Sequence, residues 1–152
     1  MLTAFTPQDF DGLYEFMHPI WHEVYGKILP REQIDFLLDK YFSPQGLNAY
    51  RMQGYEFFRI DDVGVLVIQE RETEIYLDKL YLVPAARGKG YPEKVFAELL
   101  TRGKDILLNV NQGNERAVKC YQKNGFTVEK TVDIDLGGGM VNQDYIMRKK
   151  AK

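Results

Sequence analysis

Residues able to do chemistry gather in two segments of the chain. The first runs Leu80-Tyr81-Leu82-Val83-Pro84-Ala85-Ala86-Arg87-Gly88-Lys89-Gly90-Tyr91-Pro92-Glu93. It reads as a strand, a glycine-containing loop and a helix start. Gly88 and Gly90 let the backbone come close to a ligand with N–H groups pointing outward. The helix start adds the equivalent of about half a positive charge, and Arg87 and Lys89 add full charges. Such a loop suits a phosphate or pyrophosphate; a tight turn ahead of a helix is the plainer alternative. The segment lacks Gly-Lys-Ser/Thr, which excludes a P-loop, and it lacks the third glycine of the dinucleotide fingerprint. The second segment runs from Asn109 to Phe126 and reads as a strand end, a polar cap, a helix and a glycine stop. Asn114 is a natural N-cap. Tyr121 lies two turns further on, close to the face carrying Asn114 and Ala117. Its phenol either packs in the core or sits over a reacting group and gives a proton to a thiolate.

The elements that must position these residues follow from periodicity and punctuation. Leu2 to Phe5 is a short strand. Thr6-Pro7-Gln8-Asp9 caps a helix carrying Phe10, Leu13, Tyr14 and Met17 at helical spacing. Pro30 starts a second helix with Ile34, Leu37 and Leu38 on one face. Ser43-Pro44 caps a third, which ends near Gly54. From Tyr55 the period shortens. Tyr55–Ile60 and Val63–Gln69 form a hairpin about Asp61-Asp62, and Gly64 marks a bulge or a close backbone approach. Ile75 to Val83 is a strand whose dense apolar end predicts a central position covered on both faces. Pro92 opens a helix with Val95, Phe96, Leu99 and Leu100 inward, and Gly103 stops it. Ile106–Val110 is a strand. The Asn114 helix ends at Asn124-Gly125. Phe126–Leu136 and Met140–Arg148 are strands joined by Gly137-Gly138-Gly139. The order predicts an α/β (α+β) fold, a mixed sheet with helices over its faces.

Composition narrows the function classes. The 152 residues are 45% hydrophobic and 28% charged, as expected of a folded globular protein of one domain. The net charge of -2 gives no basic nucleic-acid footprint. Cys120 is the one cysteine, so no intrachain disulfide and no Cys-rich metal site can form; this fits a reducing cytoplasm. The first residues lack a basic n-region and a long apolar run, so no signal peptide is expected. No stretch approaches the about 20 apolar residues of a membrane span. His18 and His22, spaced i, i+4, could share a helix face, but the sequence offers no third ligand beside them, so no metal site is expected.

Taken together, the two segments resemble the GNAT family of N-acetyltransferases. That family's loop reads Arg/Gln-x-x-Gly-x-Gly/Ala after a strand ending in an apolar-Val-x-Pro run; here Leu80-Tyr81-Leu82-Val83-Pro84 leads into Arg87-Gly88-Lys89-Gly90. Its later motif reads Asn-x-x-Ala-x-x-x-Tyr-x-x-x-Gly-Phe, met by Asn114, Ala117, Tyr121, Gly125 and Phe126. Asp144-Tyr145-Ile146-Met147 is similar to its last strand. The resemblance covers nearly the whole chain and implies a mixed, mostly antiparallel central sheet flanked by helices, one acetyltransferase domain over residues 1–152.

The resemblance also implies roles. The backbone of Leu80, Tyr81 and Leu82 would pair with the pantetheine arm of acetyl-CoA. Arg87, Gly88, Lys89, Gly90, Tyr91, Pro92 and Glu93 would hold its pyrophosphate. Asn114 would touch the cofactor or cap the helix, and Tyr121 would protonate the departing thiolate. The reaction would be direct acetyl transfer to an amine, with acetyl-CoA as co-substrate, no metal, and Cys120 a packing residue. Pro92 departs from the pattern: it stands at the loop's final Gly/Ala position and has no N–H to offer a phosphate. Asp78 is the candidate general base or acceptor anchor, sharing a strand face with Tyr76, Leu80 and Leu82 by alternation. Asn109 stands where some relatives carry a Glu, and an amide cannot act as a base at neutral pH.

The acceptor cleft in that family is shaped by the first helices and the last hairpin. The stretch from Trp21 to Pro30 is similar to the linker between the first two helices in the spermidine/spermine-type branch. Trp21, Glu23 and Tyr25 either line a pocket for a cationic amine or pack as ordinary helix residues. The expected partner is a small amine such as a polyamine, with no nucleic acid and no membrane; a peptide or protein amine, or an acyl-CoA-binding module with little catalysis, are the alternatives. A homodimer is compatible with the family.

Overall fold

The computed structural model describes residues 1–6 and 12–151. The expected cap and first helical residues at Pro7 to Asp11 therefore lie outside the described residues. Contacts divide the chain into two compact units, residues 1–69 with 79–89 and residues 70–78 with 90–152.

In the first unit, β1 (Leu2–Ala4) pairs antiparallel with β2 (Tyr55–Ile60), and β2 with β3 (Gly64–Glu70). The β2–β3 register runs from Tyr55↔Gln69 to Ile60↔Gly64. Three helices belong to this unit: α1 (Leu13–Tyr25), α2 (Arg31–Phe42) and α3 (Pro44–Met52). Each buries the stripe that its apolar spacing requires: Leu13, Met17, Ile20 and Trp21 on α1, Ile34, Leu37, Leu38 and Phe42 on α2, and Leu47 on α3. The Ser43 hydroxyl accepts from the Gly46 N–H at 3.1 Å, the expected cap. One boundary differs from expectation. Trp21 to Tyr25 are the last turn and a half of α1, not a linker. Pro19 sits inside this helix, and the buried Met17, Ile20 and Trp21 hold it together across the proline.

Gly64 to Ile68 of β3 are buried without alternation, so this strand is covered on both faces. Gly64 is there because of a close approach: a Cβ on it would lie 2.5 Å from the Tyr81 carbonyl oxygen and 2.7 Å from a Leu82 methyl.

In the second unit, the start of β4 (Glu74–Leu82) pairs parallel with β5 (Asp105–Asn111), from Glu74↔Asp105 to Leu77↔Leu108. β7 (Met140–Lys149) pairs antiparallel with both β5 and β6 (Thr127–Gly137). α4 (Tyr91–Leu100) buries Val95, Phe96 and Leu99, with Leu100 only half-buried, and α5 (Glu115–Lys123) buries Tyr121. Gly103 and Gly125 end these helices at positive φ, +74° and +91°. Arg148 reaches Glu74, Asp105 and Glu129, linking β4, β5 and β6 through one guanidinium on β7.

Among the described residues the strands hydrogen-bond in the order β1-β2-β3-β4-β5-β7-β6. β4 is the central strand, as the sequence predicts. Its burial alternates rather than running continuously, with Ile75, Leu77 and Lys79 inside. Strand pairing is antiparallel except at β4–β5 in the registers above. Among the described residues, no helix is long and apolar enough to cross a membrane.

Candidate active site

The end of β4 and the loop after it carry the first group of candidate residues. The β4 alternation shifts phase between Lys79, buried, and Leu82, also buried, with Leu80 and Tyr81 half-buried between them. Leu82 thus leaves the face that simple alternation gives it with Tyr76, Asp78 and Leu80, which are all half-buried. The Val83 N–H donates to the Val63 carbonyl at 2.8 Å. A single 3-10 turn over Pro84–Ala86 then turns the chain and buries Ala86.

Gly88 and Gly90 adopt φ of +75° and +85°, the left-handed region. A Cβ on either would meet nothing within 4 Å. These glycines are demanded by backbone conformation beside open space, not by packing. Gly90 is the N-cap of α4, and Tyr91, Pro92 and Glu93 form its first turn. Pro92 removes one of the first-turn N–H groups, leaving those of Tyr91 and Glu93 beside the helix dipole. Lys89 is exposed on the loop.

Arg87 is engaged by protein groups on two sides. Its guanidinium pairs with Glu23 of α1 and donates to the Leu82 carbonyl at 3.2 Å. It therefore ties the loop to α1 and to the end of β4. Beside that pair, the Tyr25 and Tyr81 hydroxyls share a 2.7 Å hydrogen bond. Trp21 is only 4% exposed and packs edge-on against Tyr25, Tyr41, Phe42 and Tyr81. Trp21 is a core residue; Tyr25, Tyr81 and Glu23 are the accessible members of the group.

A second group of candidate residues belongs to the second unit. Asn114 is buried, and its side-chain oxygen accepts from the Ala117 N–H at 3.3 Å, the expected N-cap. Tyr121 is 8% exposed, with its ring 6.1 Å from Phe96 and 5.4 Å from Phe126. Packing thus fixes the ring, and both readings of this tyrosine share that ring position. Burial pushes the Cys120 thiol up, and the Glu93 charge adds to this against an Asn124 hydrogen bond and the Lys123 charge. A thiol held protonated is a poor nucleophile.

Asp144 is a further candidate that the sequence does not single out. Asp144 of β7 is 8% exposed, and its Oδ1 has no hydrogen-bond partner. It stands opposite Asn111 in the β5–β7 register. Asn109, on the same face two positions along β5, accepts from the Tyr76 hydroxyl at 2.8 Å and hydrogen-bonds Asp144. Because the Asn109 oxygen is taken by Tyr76, its amide N–H₂ is the donor to Asp144. Burial raises the Asp144 carboxyl above its ordinary value, and the Asn109 hydrogen bond only partly opposes this. A Glu is absent at Asn109, yet a buried carboxylate reaches the same place from the neighbouring strand. The one local signal is that Asp144 is the single acidic residue of β7.

The structure therefore gathers Leu80, Tyr81, Leu82, Arg87, Gly88 and Lys89 in the first unit, and Asp78, Gly90, Tyr91, Pro92, Glu93, Asn114 and Tyr121 in the second. The structure of the PaiA N-acetyltransferase from Thermoplasma acidophilum, in complex with coenzyme A, has a TM-score of 0.74 at 22% identity, over 99% of this chain and 98% of that one. A mutant spermidine N-acetyltransferase SpeG from Vibrio cholerae has a TM-score of 0.61 at 19% identity, over 99% and 95% of the two chains. Both show the same fold. The peptidyl-lysine N-acetyltransferase YjaB of Salmonella typhimurium is 33% identical over 75 residues, 49% of this chain and 49% of the relative. The chain thus spans about half the length of the curated relatives it matches. Residues 10–126 match the acetyltransferase (GNAT) family, and the chain belongs to that family.

Proposed function

We propose that the protein is an acetyl-CoA-dependent N-acetyltransferase, one catalytic domain passing acetyl directly to a primary amine, with a small cationic amine such as a polyamine as acceptor. The observation that carries this reading is the loop at Gly88 and Gly90. Two left-handed glycines with open space beside them lead into the N-terminus of α4, in a chain of the acetyltransferase family. This is a cradle for a pyrophosphate.

In this reading the backbone of Leu80–Leu82 takes the pantetheine arm as an added strand. Amides from Gly88 to Glu93 hold the pyrophosphate, with Lys89 adding charge. Asn114 keeps the α5 terminus in place. The amine nitrogen attacks the thioester carbonyl, the C–N bond forms and the C–S bond breaks. Tyr121 gives its phenolic proton to the leaving thiolate, and a carboxylate accepts the proton that the amine loses. Asp78 on β4 is one such carboxylate. Asp144 is another, a buried carboxylate whose pKa burial raises. Tyr25, Tyr81 and Glu23 offer aromatic faces and a negative charge to a cationic acceptor.

Release of free thiol from acetyl-CoA, measured against polyamines, amino acids, aminoglycosides and peptides on one preparation, tests the reading. Polyamine-dependent release supports it. Release with peptides alone moves the acceptor to a protein amine, in line with the family relationship to peptidyl-lysine enzymes. No turnover with any acceptor, together with a higher Tm in acetyl-CoA, replaces catalysis by an acyl-CoA-binding role.

A further inference from the structure

We propose that His18, His22 and Asp35 form a binding site for Zn²⁺, bridging α1 and α2. The sequence supplies only the two histidines. The fold supplies the missing ligand from a second helix. Asp35 Oδ1 lies 2.8 Å from His22 Nε2 and 3.7 Å from His18 Nε2. One ligand atom from each residue falls within 4.8 Å of the others, and the imidazole centroids are 4.5 Å apart.

The two separations from Asp35 are compatible with a shared metal ion. A tetrahedral Zn²⁺ with nitrogen and oxygen ligands at about 2.1 Å sets those ligands roughly 3.4 Å apart. The His22 pair is shorter than that and the His18 pair longer, each within an ångström. A hydrogen bond accounts for His22 at 2.8 Å, but His18 at 3.7 Å is too far to share it. A cation between the three atoms uses both rings through the nitrogen that already faces Asp35. The donor set selects the ion. Two imidazoles and one carboxylate suit Zn²⁺, whereas Mg²⁺ and Ca²⁺ take oxygen ligands.

The site is also open to an arriving ion. The His18 and Asp35 side chains are 43% and 48% exposed, and His22 is 22% exposed. Three protein ligands with solvent on the outer side leave the fourth position to water. Metal held there would cross-link α1 to α2, whose buried faces already pack in the same unit. Its effect is then read in stability, and the proposal stands apart from the acetyl-transfer reading.

The test uses the full chain, stripped with a chelator and dialysed, titrated with ZnCl₂ at pH 7.5 by calorimetry. Saturable binding of one ion per chain is expected, with MgCl₂ silent. ZnCl₂ at a hundred times Kd should raise Tm by roughly 5–10 °C. His22→Ala and Asp35→Asn should each weaken binding at least tenfold. His18→Gln changes a side chain that is half in solvent, so it keeps the fold, checked by circular dichroism, and should also weaken binding. No saturable heat with the unaltered chain overturns the proposal, and so does unchanged affinity in the folded His18→Gln and Asp35→Asn variants.

Discussion

The loop at Gly88–Gly90 and the helix pair α1–α2 carry their polar chemistry in opposite ways. In the loop the backbone does the work. Both glycines are left-handed, no neighbour presses on their Cα atoms, and side-chain space is empty. On the helix pair the backbone is ordinary helix, and the chemistry sits in side chains whose partners come from distant segments: Glu23 with Arg87, Tyr25 with Tyr81, His22 with Asp35. In the loop, residue type follows from conformation. On the helices it follows from the partner. The first kind of site tolerates no change of residue class, and the second tolerates any change that keeps the pair.

The strongest challenge to this contrast comes from a side chain on α5. Tyr121→Phe should lower kcat about 100-fold while acetyl-CoA Kd stays within about threefold, by thiol release and calorimetry. Unchanged turnover would remove Tyr121 from the acid role and leave it a packing residue against Phe96 and Phe126. Next comes the backbone itself. Gly90→Ala meets no neighbour, so its effect is conformational strain of about 1–3 kcal/mol. Cofactor affinity should fall about tenfold in a protein that still folds. If affinity holds, conformation does not set this site.

A smaller effect sits on β7. Burial raises the Asp144 pKa, so the folded chain favours the protonated form. That preference stabilises at acid pH and is lost as pH rises through the raised pKa. Asp144→Asn should therefore raise Tm at pH 8, with the gain shrinking toward pH 3; thermal melts across that range give the answer. A gain that does not vary with pH would place the effect outside titration. The smallest effect is expected at Glu23→Gln. The Glu23 and Arg87 side chains are 37% and 20% exposed, and such a pair contributes about 0.2–1 kcal/mol. Tm should drop by about 3 °C or less. A larger drop would make this pair a structural anchor for the loop.

The same contrast explains which features the sequence revealed. Gly88, Gly90, Gly103 and Gly125 were legible because positive φ leaves almost no other residue type. Ser43 and Asn114 were legible because a cap needs a short side-chain acceptor at one position. These are local demands, and they located the helix ends and the loop. The third metal ligand, the Glu23 partner of Arg87 and the buried carboxylate at Asp144 were not legible. Each depends on pairing across the fold: α1 against α2, residues 64 apart in sequence, and the β5–β7 register. The extent of α1 differs for another reason: the Trp21–Pro30 stretch is assigned by its similarity to a linker, whereas burial of Ile20 and Trp21 carries the helix on to Tyr25.

The strand order has a consequence for synthesis. β7 lies between β5 and β6, although β6 is made first. While a growing chain has reached Gly139 but not yet Met140–Lys149, β6 lacks the strand it pairs with and β5 shows a bare edge. The guanidinium of Arg148, which joins three strands, is also still to come. That interval leaves the second unit's sheet unfinished and open to pairing with another chain. A chain truncated after Gly139 should therefore be protease-sensitive and prone to self-association, and the full chain, which adds Met140–Lys149, should be neither.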